Sequence, residues 1–272
     1  MGGLHGDISA VSLNMPNPIV SSQMISLLGI PIHKIGMNEL LDCCEKAIQG
    51  RASLVLGMVN VAKLVNCQNY MELRSSLVDS DIIAADGQGI VWLSRLAGCP
   101  LPERVAGIDV MYNLMQRAAK KHYRIFFLGA KPAVLDTVVQ KAQQEYPGLQ
   151  VAGYHDGYFD LETEGQQVAD QIRDSNADIL FVAITPPKKE LFMDRFKKII
   201  NVPVCHGVGG SFDVFAGVTK RAPLWMQKAG LEWLYRVIQE PRRMWKRYLV
   251  TNAIFLVLSI KEILRCRLGI TK

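Results

Sequence analysis

The chain has 272 residues, 49% of them hydrophobic and 21% charged, which excludes a disordered polymer and leaves room for one large domain or two small ones with a real core. Its net charge of +6 is unevenly spread: residues 219–272 carry twelve Lys or Arg against three Glu, which leaves residues 1–218 at −3. Such asymmetry points to a polyanion or an anionic membrane surface, and the absence of zinc-finger spacing or basic-zipper heptads speaks against nucleic acid.

Residues 1–22 are rich in Gly, Ser, Asn and Pro and read as a flexible lead-in, without the basic and apolar blocks of a secretory signal. A strand-like run, ISLLGIPIH, precedes an amphipathic helix that stops at Gly50. SLVLGMV is a buried strand ending at Asn60, and Val61 to Ser75 reads as one helix. The strand Asp81 to Ala85 ends in Asp86-Gly87-Gln88-Gly89 before another helix, and the polar loop PLPERVAGID leads into a helix over 110–121. Three more units follow, with strands RIFFLG, LQVAG and ADILFVAI and helices between them; the last strand, VPVCHGVGG, ends in a glycine turn.

Apolar strands alternating with amphipathic helices predict an α/β fold: a Rossmann-like, doubly wound and mostly parallel sheet over residues 23–220, followed by a helical appendage over 221–272. Ligands of such sheets bind beyond the C-terminal strand ends. Here those ends carry Asn60, Asp86, Gly129, the loop YHDGYF with His155, Thr185 with its prolines, and Gly207, Gly209 and Gly210.

A strand-end carboxylate such as Asp86 can serve as general base, although an aspartate before Gly also makes an Asx turn or a helix N-cap. Glycines after a strand admit a phosphate, and arginines clamp diphosphate oxygens. Asp213 and the cations Lys220, Arg221, Arg236, Arg242, Arg243, Lys246 and Arg247 follow the glycine turn, an order that fits a nucleotide-diphosphate or lipid-diphosphate site.

Other readings are weaker. Asp79-Ser80-Asp81 has the form of a metal-binding acidic pair but precedes its strand, so no metal is expected. GVGGSF lacks the last glycine of a dinucleotide fingerprint, so no cofactor is expected. The six cysteines have no metal-ligand or CxxC spacing and read as core residues in a reducing compartment, and His206 reads equally as ligand or as satisfied core. Tyr248 to Ile260 is a thirteen-residue apolar run, shorter than the roughly 20 residues of a span. With cations on both sides it reads as an interfacial helix, a homo-oligomer contact being the competing reading.

In order along the chain, VNVAKLV, ADGQGIVW, PERVAGID, FFLGAKP, GYHDGYF, TPPKKELF, GVGGSFDVFAG, KRAP and GLEWLYRVIQEPRRMWKRY together resemble the WecG/TagA/CpsF glycosyltransferase family over about residues 25–250. The resemblance implies a metal-independent, inverting enzyme on the cytoplasmic membrane face that moves a sugar from a UDP-sugar to a polyprenyl-diphosphate-linked sugar for a cell-surface polymer. It implies Asp86 as the base, Asn60 and Arg104 in the sugar pocket, and Asp213 with the glycine turn on the nucleotide. Arg236, Arg243 and Arg247, with Arg242 and Lys246 sharing the task, would neutralise diphosphate charge. Two positions depart from the family pattern: Met58 stands where a Thr is common and Lys189 where a Gln is common, which leaves N-acetylmannosamine, glucose and a uronic acid open as the donated sugar. A nicotinamide-dependent sugar-nucleotide oxidoreductase and a non-catalytic membrane-docked scaffold are the competing readings.

Overall fold

The computed structural model describes residues 17–185 and 188–268, with the side chains of Arg243, Met244 and Arg247 outside the description. An antiparallel hairpin, β1 (Met24–Leu27) and β2 (Ile30–His33), turns at Leu28 and Gly29, both at positive φ. The single strand-like run expected here is therefore two strands, divided at its glycine.

Six further strands form one parallel sheet: β3 (Leu54–Val59), β4 (Ile82–Ala85), β5 (Arg124–Gly129), β6 (Gln150–His155), β7 (Ile179–Ala183) and β8 (Val204–Gly207), in the order β4-β3-β8-β7-β5-β6. Their near-continuous apolar sequences follow from burial on both faces; Phe126, Phe127 and Phe181 are fully enclosed. Truncating one such phenylalanine to Ala costs about 3–5 kcal/mol.

One face is covered by α1 (Met37–Gly50), α5 (Gly107–Lys121), α6 (Pro132–Glu145) and α9 (Ser211–Phe215). The other carries α7 (Gly165–Asp174) and α8 (Lys188–Ile200). A third cluster joins the hairpin, α3 (Met71–Val78) and α4 (Gln88–Leu96) to the odd-numbered face of β3 and β4. The helix expected over 61–75 is broken into α2 (Val61–Asn66) and α3, because the chain turns at 67–70. Of the predicted lead-in, residues 17–22 are described, and Asn17 is held by bonds to the Ser53 carbonyl at 3.0 Å and Asp81 at 3.1 Å.

The expected helical appendage consists of α10 (Leu224–Lys228), α11 (Glu232–Gln239) and α12 (Pro241–Arg267). Gly230 joins α10 to α11 at φ +66, where a Cβ would stand 3.0 Å from the Trp92 ring. Only glycine meets both demands. The thirteen-residue apolar run lies inside the 27-residue α12, and among the described residues no helix is long and apolar enough to cross a membrane.

Candidate active site

The segments leaving β3 and β8, which are neighbours in the sheet, run to opposite faces: β3 leads to α2 and α3, β8 to α9. A crevice opens between such strand ends. Asn60 closes β3 and caps α2, its Oδ1 accepting from Lys63 N at 3.0 Å. Asp86 follows β4, its N–H donating to Val59 O at 2.7 Å.

The Asp86 carboxylate accepts from Gly107 N at 3.2 Å, at the start of α5. On the other side of that peptide unit's residue, Gly107 O faces His206 Nε2 at 2.9 Å. A carbonyl only accepts, so Nε2 carries the proton and the imidazole is neutral; burial pushes its pKa down to about 4. His206 thus resolves as a core residue that fixes Gly107, and Gly107 in turn fixes Asp86.

Burial raises the Asp86 pKa to about 6, opposed by the Gly107 N–H, with Glu232 raising it and Arg104 and Lys63 lowering it. A carboxylate of that strength is ionised at neutral pH yet basic enough to take a proton. Lys63 is lowered to about 8, first by burial and then by Lys189. Lys189 pairs with Glu190 at 3.0 Å, and its Nζ would stand 3.4 Å from a Cβ on Gly207. Two ammonium groups and the Glu190 carboxylate therefore lie near the crevice, a net positive set suited to phosphate oxygens.

The appendage is latched to this site by charge. Arg104 Nη1 lies 2.6 Å from Glu232 of α11, and Arg221 grips Asp109 at 2.6 and 2.8 Å. Arg104 Nη2 lies 3.8 Å from the same Asp109, so the four side chains form one neutral ring beside Asp86. Arg104, expected to line a sugar pocket, is engaged in this ring. Gln239 adds a reciprocal pair of 3.0 Å bonds to the Lys220 backbone.

The crevice brings together Asn60, Asp86, Arg104, Lys189 and Gly207, adds Lys63, Gly107 and Glu232, and has Gly209, Gly210 and Asp213 at the β8 turn; Gly209 sits at φ +52. Gly129 and His155 lie at the strand ends on the far side of the β8 turn: at about 4.8 Å per strand, β5 and β6 are roughly 10 and 14 Å from β8. Gly129 is a glycine because a Cβ would strike Ala183 backbone at 2.5 Å, and His155 bonds locally to Asp156 O at 2.8 Å. Arg236 stands four residues after Glu232 on α11, hence on the same helical stripe, and Arg236, Arg242 and Lys246 are exposed. Arg243 and Arg247 lie outside the described side chains. Among the described residues no group of His, Cys, Asp and Glu is placed to hold a metal ion.

A parallel α/β sheet whose strand ends join one basic carboxylate to several cations suits group transfer on phosphate-bearing substrates, and kinship to known proteins makes the class a glycosyltransferase. The chain belongs to the family described as glycosyl transferase WecG/TagA/CpsF, which it matches over residues 25–268. It is 40% identical over 231 residues to an N-acetylglucosaminyldiphosphoundecaprenol N-acetyl-β-D-mannosaminyltransferase of Bacillus subtilis, covering 84% of this chain and 88% of that one. A Staphylococcus aureus protein of the same name is 32% identical over 228 residues, 82% of this chain and 86% of its own.

Proposed function

We propose that the protein transfers a hexose-type sugar from a UDP-sugar to a sugar carried on polyprenyl diphosphate, with inversion at the anomeric carbon. The observation that carries this reading is Asp86, oriented by Gly107 N–H, raised to a pKa of about 6 and flanked by Lys63 and Arg104. The acceptor hydroxyl attacks the anomeric carbon as its proton passes to the Asp86 carboxylate. The bond from that carbon to the diphosphate oxygen breaks on the opposite side, and UDP departs with both bonding electrons.

Lys63 and Lys189 are placed to balance the diphosphate charge of the lipid-linked acceptor, and Arg236, Arg242, Arg243, Lys246 and Arg247 of the appendage that of the departing UDP. Asn60 and Arg104 border the sugar, and Asp213 with the glycine turn borders the nucleotide. The relatives' names make N-acetylmannosamine the first donor to test, with glucose and a uronic acid next because Met58 and Lys189 border the cleft.

The appendage supplies the membrane contact in this reading. α12 turns Leu249, Val250, Leu256, Val257, Ile260 and Leu264 outward, among basic residues at both helix ends. An apolar face of that kind lies at the headgroup boundary of an anionic leaflet.

The test is a screen of UDP-sugars against a short-chain polyprenyl-diphosphate sugar, with and without EDTA. Transfer from one donor, undiminished by EDTA, is expected. Activity abolished by the chelator would put a metal in place of the cationic side chains. No transfer, with UDP failing to raise the unfolding temperature, would remove the reaction altogether.

A further inference from the structure

The crevice continues into a second space along the face of the sheet. Between α3 and α8 runs a groove of about 980 Å³. Its floor includes Val55 and Gly57 of β3 and Cys205 and Gly207 of β8, alternate residues that share one face. Three of these four side chains are absent or small, which makes the groove deep. Tyr70, Met71 and Leu191 stand exposed at its rim, each at least half accessible.

Three observations identify the kind of occupant. The groove shares Lys63, Lys189 and Gly207 with the crevice, so an occupant would meet cations at the end beside Asp86, and Leu73, Leu77 and Met193 line the rest together with the charged Glu72, Asp194 and Lys197. Parts of α3 and α8 approach within 8 Å between Cα atoms, closer than the two interaxial spacings of 8–10 Å that a third helix between them would require. That leaves a narrow flexible chain rather than a helix from another protein. The rim is also tied to the outward apolar helix: Gln68 Nε2, just before α3, donates to Leu28 O at 3.0 Å, and Leu28 N donates to Glu262 of α12 at 3.3 Å. An apolar chain leaving the surface on which α12 rests therefore has the α3 rim close at hand.

We propose that the α3–α8 groove receives the first isoprenoid units of the acceptor lipid, whose diphosphate then lies against Lys63 and Lys189. The proposal rests on the transfer reaction inferred above and adds the path of the lipid. A buried hydrocarbon chain gains affinity with each methylene it removes from water, so the groove makes acceptor recognition depend on chain length. The diphosphate contacts are charge-assisted and fix the depth to which the chain enters.

The experiment uses the full chain and two acceptors bearing the same diphosphate sugar, one on a two-carbon alkyl group and one on a farnesyl-length prenyl chain, the latter also made with a diazirine on its first isoprene unit. Photolysis should label peptides from 70–77 and 189–198, and the prenyl acceptor should exceed the alkyl one in kcat/KM by about tenfold or more. Ser76→Trp on the α3 wall and Leu191→Arg on the rim, each checked for an unchanged unfolding temperature, should bring that ratio down toward one. Label confined to α12, or a ratio that neither variant alters, would overturn the groove while leaving the transfer reaction standing. A Leu191→Arg variant that dissociates a dimer without altering the ratio would assign the groove to a second copy and overturn the lipid. Absence of transfer to either acceptor in the unaltered protein would overturn the reaction, and the proposal with it.

Discussion

Helices α5 and α12 use similar residues in opposite senses. α5 buries Val110, Met111, Leu114, Met115 and Ala118 against the sheet and leaves Lys120 and Lys121 in solvent. α12 packs Phe255 and Ile263 with the buried Thr251, Ser259 and Glu262 against the body and leaves Leu249, Val250, Leu256, Val257, Ile260 and Leu264 outside. Burying apolar area is the main stabilising term in folding, so a helix that leaves an apolar stripe this long in solvent is shaped for something other than its own core. α5 serves the site by rigidity, presenting Gly107 N–H to Asp86. α12 holds a basic and apolar surface on a body latched through Glu232, and in the proposed function would serve the site by attachment.

The contrast breaks most completely if the appendage is removed. Truncation after Gly230 removes Glu232, α11 and α12 but nothing from the sheet. The remaining body should keep a cooperative unfolding transition and lose at least about a hundredfold in transfer, because one partner of Arg104 and the cations Arg236, Arg242, Arg243, Lys246 and Arg247 are gone. Full activity in the truncated chain would show that the appendage contributes nothing to chemistry.

A subtler test changes only the outward face. Leu256→Gln with Val257→Gln leaves the latch and the buried polar stripe in place. Flotation with vesicles containing anionic lipid should show binding weakened by about tenfold, with the unfolding temperature within about 2 °C of the parent. Equal flotation would mean that α12 faces another protein surface.

The smallest effect concerns the opposite region and is one of stability. Asp86 titrates near 6 in the folded chain against an ordinary 3.8, so ionising it costs folding free energy. The penalty is absent below about pH 4, grows between about 4 and 6, and is constant above that. Asp86→Asn should therefore stabilise the protein by about 1–3 kcal/mol at pH 8 and by nothing at pH 4, measured by urea unfolding. A variant destabilised at pH 8 would mean that the carboxylate is held by attraction rather than tolerated for its chemistry.

The alternation of apolar strands and amphipathic helices made the sheet legible, since parallel strands buried on two faces cannot be polar. Asp86, Asn60 and the Gly207 turn were legible too, because a strand end is recognisable from its sequence alone. Strand order is not. Gly129 and His155 end strands like the others, yet three or more strands lie between theirs and the strand that precedes Asp86. Lys63 and Glu232 read as ordinary charged positions on helices, because their importance comes from partners far along the chain: Asp86 for the first, Arg104 for the second. His206 was ambiguous for the same reason, resolved by Gly107, 99 residues away. The outward apolar stripe of α12 was only half visible, as a thirteen-residue apolar run flanked by cations.

In the proposed reaction Asp86 takes the acceptor proton, and the pH dependence of kcat/KM tests that role most directly. The parent enzyme should lose activity tenfold per unit below about pH 6, following protonation of the carboxylate. Asp86→Asn should remain folded, bind UDP, fall by about a hundredfold to ten-thousandfold in rate, and lose that acid limb. An acid limb that persists unchanged in the Asn variant, or near-normal turnover without the carboxylate, would contradict the account.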